Sequence, residues 1–137
     1  MPGLSDDARA ILSGRAFAHL ATVLPDGAPH SVPIWIGVDG DRLVMFTQTG
    51  SRKARNIEAD ARVAISAVDE ANPYRQCDLR GRVGERIDGE AAQAVADELA
   101  VKYTGAAFPW RSPNTVAYVI TPETCHTTEL PFAHEAR

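Results

Sequence analysis

The sequence predicts a small antiparallel β-barrel with helices over its openings, built as one domain over residues 1–137. Three observations predict it. Apolar and β-branched segments recur at hairpin spacing about six times, with Pro25-Asp26-Gly27 and Asp39-Gly40-Asp41 as turns between the early ones. One long amphipathic stretch and two short ones have helical periodicity. The length of 137 residues suits one core and is too short for two independent ones.

Ser5 is placed to cap a first short helix, with Asp6 and Asp7 at its positive dipole end, Ala8, Ile11 and Leu12 on one face, and Gly14 as its stop. Ala16 to Val23 reads as a strand. After the turn at Pro25-Asp26-Gly27 the chain alternates, with His30, Val32, Ile34, Ile36 and Val38 on one face and Ser31, Pro33, Trp35 and Gly37 on the other. Pro33 has no amide hydrogen, which assigns this segment to an edge or an interrupted ladder. Leu43 to Thr49 follows as a third strand, so the first three strands are expected to form a meander. His19 and His30 would then face each other across the first hairpin.

Gly50 and Ser51 start a short helix through Ala59, and Arg62 to Val68 returns as a strand. A polar loop, Asp69 to Arg75, leads to a longer strand with Cys77, Leu79, Val83 and Ile87 facing inward and Gly81 and Gly84 allowing bulges. Asp88 is placed to cap the best helix, in which Ala92, Val95, Ala96, Leu99 and Tyr103 recur at helical spacing before Gly105 stops it. A loop carrying Phe108-Pro109-Trp110-Arg111 leads to a closing strand begun by Val116, Tyr118 and Ile120 and interrupted at Pro122. Leu130 to Arg137 reads as loosely ordered.

Composition narrows the function. With 45% hydrophobic and 23% charged residues the chain is globular, and a net charge of −4 disfavours nucleic acid, whose phosphates need a basic face. The start Met1-Pro2-Gly3-Leu4-Ser5 resembles no secretory signal, and no apolar run reaches the roughly 20 residues of a membrane helix, so a cytoplasmic, membrane-free protein is expected. Cys77 and Cys125 read as packing residues. His19, His30, His126 and His134 show no metal-ligand spacing, and no metal site is expected.

One segment is at odds with itself. Ser51 is a good N-cap, yet Arg52, Lys53 and Arg55 occupy the first turn while Glu58 and Asp60 lie at the far end, against the dipole. A bound phosphate would remove the conflict, and Thr47 and Thr49 could add hydroxyl donors. The alternative is a solvated surface helix whose cations pair with Glu58 or Asp60.

The order Pro33-Ile34-Trp35, Phe46-Thr47, Ser51-Arg52-Lys53-Ala54-Arg55-Asn56-Ile57 and Ala61-Arg62-Val63 resembles the pyridoxamine-phosphate-oxidase-like split barrels, in particular their actinobacterial F420-dependent branch. Asn72-Pro73-Tyr74-Arg75, Leu79-Arg80-Gly81-Arg82-Val83, Lys102-Tyr103-Thr104-Gly105 and Pro109-Trp110 are similar to that branch too. The resemblance implies a six-stranded antiparallel split β-barrel of the FMN-binding type, mainly β with helices, acting as a homodimer with cofactor sites between the barrels. It implies an F420 or, as the alternative, an FMN cofactor whose phosphate meets Ser51, Lys53 and Asn56, with Arg52 and Arg55 as basic neighbours. Ser31, Val32, Pro33, Ile34 and Trp35 would run along the ring, Phe46, Thr47 and Thr49 would be among the cofactor contacts, and Tyr74 would sit where a partner subunit reaches it. The implied activity is hydride transfer from reduced F420 to an unsaturated or quinone-like small molecule. An FMN oxidoreductase and a non-catalytic cofactor-binding protein are the alternatives. No side chain is assigned as catalytic acid or base, since the cofactor carries the hydride chemistry. Trp110 and Tyr74 fit a wall over the substrate or a core or dimer contact.

Overall fold

The computed structural model describes residues 3–133. In chain order the elements are α1 (Asp6–Ser13), β1 (Ala18–Val23), β2 (Pro29–Ile34), β3 (Gly37–Asp39), β4 (Arg42–Gln48), α2 (Arg52–Ala59), β5 (Arg62–Val68), β6 (Arg75–Ile87), α3 (Gly89–Thr104) and β7 (Thr115–Glu129). The strands form one antiparallel sheet in the order β2-β1-β5-β6-β7-β4-β3.

This order corrects the expected meander. The alternating run from His30 to Val38 is two strands, and β2 and β3 lie on opposite edges of the sheet. Only Trp35 and Ile36 connect them. Three Cα steps span at most about 11 Å, so the sheet must curl until its two edges almost meet. The result is a seven-stranded barrel, one strand more than expected, split at the Trp35–Ile36 gap. The inward alternation persists across the gap, because Ile34 and Ile36 are both buried.

The interior is filled by residues such as Leu20, Leu43, Met45, Ile65, Leu79, Val116 and Ile120, and α1 closes one opening with Ala8, Ile11 and Leu12. Each such large side chain contributes about 1.5–3 kcal/mol on burial. Pro33 stands in the edge strand β2, where its missing amide breaks no ladder bond to an outer neighbour.

Three further expectations change. Strand β7 runs through Pro122 without interruption, because the β6–β7 register shifts between Arg80 and Gly81 beside it. A Cβ on Gly81 would meet the Thr121 carbonyl oxygen at 2.4 Å, so that crossing admits only glycine. Asp88 occupies the N-cap position of α3 but makes no capping bond, since its carboxylate is held by Arg86. His30 lies opposite Thr22, and His19 opposite Pro33, so the two imidazoles do not face each other.

At the other end of α3 the stop is as read, with Gly105 at φ 84°. No helix among the described residues is long and apolar enough to cross a membrane. Nor do three His, Cys, Asp or Glu side chains gather there in a metal-binding group; His134 and the end of the chain after residue 133 lie outside the described residues.

Candidate active site

The site is a pocket of about 370 Å³ at the barrel gap, lined by Phe17, Pro33, Ile34, Trp35, Phe46, Lys53 and Phe108. Its walls are aromatic. Trp35 lies 6.2 Å from Phe46 and 6.4 Å from Phe108, and Phe108 meets Phe46 edge to face at 5.0 Å. A flat conjugated ring suits such walls, because aromatic faces and edges attract one another beyond simple area burial. At the rim Phe17 is 60% exposed, an apolar side chain left in water by this chain alone.

Among the described residues the one cation in the lining is Lys53, carried in by the first turn of α2. The sequence folds this way because Ala54 and Ile57 are buried beneath the helix while Ser51 begins it. Ser51 Oγ accepts the Ala54 amide at 3.2 Å and shares a 3.0 Å hydrogen bond with Thr47 Oγ1. The remaining first-turn amides have no acceptor within the helix, as at any helix start. Burial holds the Lys53 ammonium below the ordinary lysine pKa.

The carboxylates offered by the surface-helix alternative are engaged elsewhere. Glu58 accepts from Arg86 at 2.9 Å and from the Tyr118 hydroxyl at 2.8 Å, and Asp60 is clamped by Arg62 at 2.7 Å. The Arg62 guanidinium holds the Asp60 carboxyl down to about 2. Among the described residues Lys53 and Arg55 have no ion-pair partner.

The pocket therefore collects Pro33, Ile34, Trp35, Phe46 and Lys53 from the sequence-predicted set, with Thr47 and Ser51 linked just behind Lys53. The other predicted residues lie elsewhere. Asn56 is 1% exposed, accepts from Arg52 at 3.2 Å and donates to Thr22 at 3.0 Å, so it fastens α2 to β1. Thr49 and Arg55 line a separate cleft behind α2 with Arg86 and Tyr118. Ser31 is exposed on β2, while Val32 packs against the core. Tyr74 lies outside the lining and meets Phe132 at 5.2 Å. Trp110 is not in the lining either, although it backs Phe108 at 5.2 Å.

Sequence reasoning missed Phe17 and Phe108. Phe17 carried one available signal, as an aromatic on the outward parity of a strand entry; Phe108 lies in a loop and carried none.

The site and its scaffold define a class. Residues 4–129 match the pyridoxamine 5'-phosphate oxidase family, and the chain belongs to it. Within that family the chain is 34% identical over 102 residues to a protein of Mycobacterium tuberculosis (strain CDC 1551 / Oshkosh) named F420H(2)-dependent biliverdin reductase, covering 73% of this chain and 72% of the relative. A solved structure named F420 reductase superposes with a TM-score of 0.81 at 31% identity, covering 90% of this chain and 98% of that one. Protein Atu2129 of Agrobacterium tumefaciens str. C58, described as of unknown function, superposes with a TM-score of 0.72 at 26% identity over 89% of this chain and 54% of its own.

Proposed function

We propose that the chain is an oxidoreductase that binds coenzyme F420 in the aromatic pocket and passes a hydride to an unsaturated or quinone-like small molecule. The observation that carries this reading is Lys53, a half-buried ammonium with no counter-anion among the described residues, in a pocket otherwise made of aromatic and apolar walls. Isolated buried charge is costly, and a ligand joining a flat ring to a phosphate supplies both partners the pocket lacks. The family and the two F420-linked relatives support a flavin or deazaflavin cofactor, and their names favour the deazaflavin.

In this reading Lys53 and the first-turn amides of α2 hold the phosphate, with Ser51 and Thr47 fixing the turn that presents them. Pro33, Ile34 and Trp35 at the β2 edge bound the ring on one side, while Phe46 and Phe108 bound it on the other and exclude water. Bound there, reduced F420 supplies the hydride. The protein's part is placement and a dry wall, and Lys53, the ionisable side chain in the lining among the described residues, is taken up by the phosphate. The exposed Phe17 and Trp110 support a homodimer in which a second copy covers the pocket rim, and Tyr74 and Arg55 would act from that interface or beside it.

The test is a fluorescence titration of ligand-free protein with F420 and with FMN, repeated on Lys53→Ala. F420 is expected to bind more tightly than FMN, and the substitution to weaken it by about tenfold or more, the loss of one charge-assisted contact. Tighter FMN binding would shift the assignment to a flavin enzyme, and undiminished binding by Lys53→Ala would remove the phosphate site. Sedimentation of the same samples reads the dimer.

A further inference from the structure

Pro33, Ile34 and Phe46 are held in the sheet, but three of the aromatic walls come from places that no sheet register holds. Phe17 precedes β1, Trp35 stands in the barrel gap, and Phe108 follows α3. Backbone groups at a gap have no neighbouring strand, so something else must satisfy them. The last turn of α3 does so. The Tyr103 hydroxyl donates to the Ala16 carbonyl at 2.5 Å and accepts the Ile36 amide at 3.3 Å. Lys102 Nζ donates to the Ile36 carbonyl at 2.6 Å and to the Leu12 carbonyl at 2.8 Å. Both main-chain groups of Ile36 are thus held by consecutive side chains of one helix.

The residues next to these anchors are the walls themselves, Phe17 beside Ala16 and Trp35 beside Ile36. The Tyr103 ring also stacks on Trp35 at 5.3 Å with 7° between planes, and it meets Phe17 at 5.5 Å. Phe108 hangs from the same helix, its amide bonded to Asp97 Oδ1 at 3.2 Å. A packing aromatic would need only the ring. Here the hydroxyl is used as donor and acceptor at once, between two segments distant in sequence.

We propose that Tyr103, assisted by Lys102, is the positioning residue of this pocket: it sets the spacing of the Phe17 and Trp35 walls, and so the affinity for the flat cofactor ring, without touching the cofactor. This rests on the aromatic pocket being the cofactor site.

The test uses the whole chain with Trp110→Phe, which leaves Trp35 as the only tryptophan of the two. In that background Tyr103→Phe keeps the ring and removes the hydroxyl, and Lys102→Met keeps the stem and removes the donor. Each folded variant, checked by circular dichroism, is expected to show red-shifted Trp35 emission and stronger acrylamide quenching without ligand. Each is also expected to bind F420 about tenfold more weakly, the effect of one lost hydrogen bond that leaves a main-chain partner unpaired. Emission equal to that of the Trp110→Phe parent in both folded variants overturns the proposal, and so does the parent's affinity in both. If the parent binds neither F420 nor FMN while the emission changes as stated, the wall placement by Tyr103 is upheld and the cofactor reading fails instead.

Discussion

Helices α1 and α2 begin in nearly the same way and carry opposite charges. Ser5 caps α1 at φ −66°, ψ 161°, with its hydroxyl accepting the Ala8 amide; Ser51 caps α2 at φ −63°, ψ 158°, with its hydroxyl accepting the Ala54 amide. Both capping bonds are 3.2 Å long. The first turn of α1 holds Asp6 and Asp7, which the dipole favours, and that of α2 holds Arg52, Lys53 and Arg55, which it opposes. One start is arranged for folding alone. The other sets three cations against its own dipole, and one of them, Lys53, lines the aromatic pocket, where a bound anion would offset the cost.

The sharpest way to break this contrast is Lys53→Gln, which keeps a donor and removes the charge. Cofactor affinity is expected to fall by about 10–100-fold, the range for a charge-assisted contact. The melting temperature of the ligand-free protein should hold or rise slightly, because a half-buried cation facing the positive helix end has gone. A large drop in ligand-free stability would show that Lys53 serves the fold, and would sink the contrast.

The reverse change is made at α1. Replacing Asp6 and Asp7 together by Lys removes two favourable dipole contacts and the 3.0 Å ion pair from Asp7 to Arg75. About 1–2 kcal/mol is expected to go, at 0.3–1 kcal/mol for each dipole contact plus a small exposed pair. That corresponds to a melting temperature lower by about 2–6 °C for a chain of this size. Cofactor affinity should be unchanged, since α1 contributes nothing to the pocket lining.

Much of this contrast was legible in the sequence. The caps, the dipole conflict and the alternation along β2 and β4 rest on local spacing, which a linear chain displays. The barrel gap was not, because His30 to Val38 keeps a single inside face across Trp35 and Ile36 and therefore reads as one strand. Parity carries no information on which edge a strand joins. Pro122 misled for a related reason: its effect depends on the bulge opposite, at Gly81, which belongs to another strand. Asn56, expected to meet the phosphate, also accepts from Arg52 and donates to Thr22, contacts that local spacing does not display.

A smaller effect separates Lys53 of the pocket from Lys102 of α3 by pH. Burial lowers the Lys102 ammonium to about 8 from an ordinary 10.5, with Glu70 opposing the shift. Between those values the unfolded chain binds more protons than the folded one, so stability rises with pH there. Lys102 is expected to raise the urea midpoints of the ligand-free protein from about pH 7.5 to about pH 9, while Cys77, whose thiol burial pushes up to about 11, opposes the rise as the unfolded chain's thiol ionises, so the lysine is read from the difference between wild type and Lys102→Met. Lys102→Met should flatten the rise. A slope that survives in Lys102→Met would assign it to Lys53, whose pKa is lowered by burial as well.

The smallest expected effect concerns the third helix start. Asp88 stands at the N-cap of α3 with no capping bond, and its carboxylate is committed to Arg86 at 2.9 Å on the surface. Asp88→Ala is therefore expected to cost no more than about 0.5 kcal/mol, the worth of an exposed ion pair. Ser5→Ala, which removes a formed cap, should cost about 1 kcal/mol. Urea unfolding of the two variants side by side decides the point: equal losses would mean that Asp88 caps α3 in solution, and that a cap's value follows from its position and not from the bond it makes. A loss confined to Ser5→Ala leaves α3 held by Ala92, Ala96, Leu99 and Ala100 against the barrel, with its start free to serve Arg86.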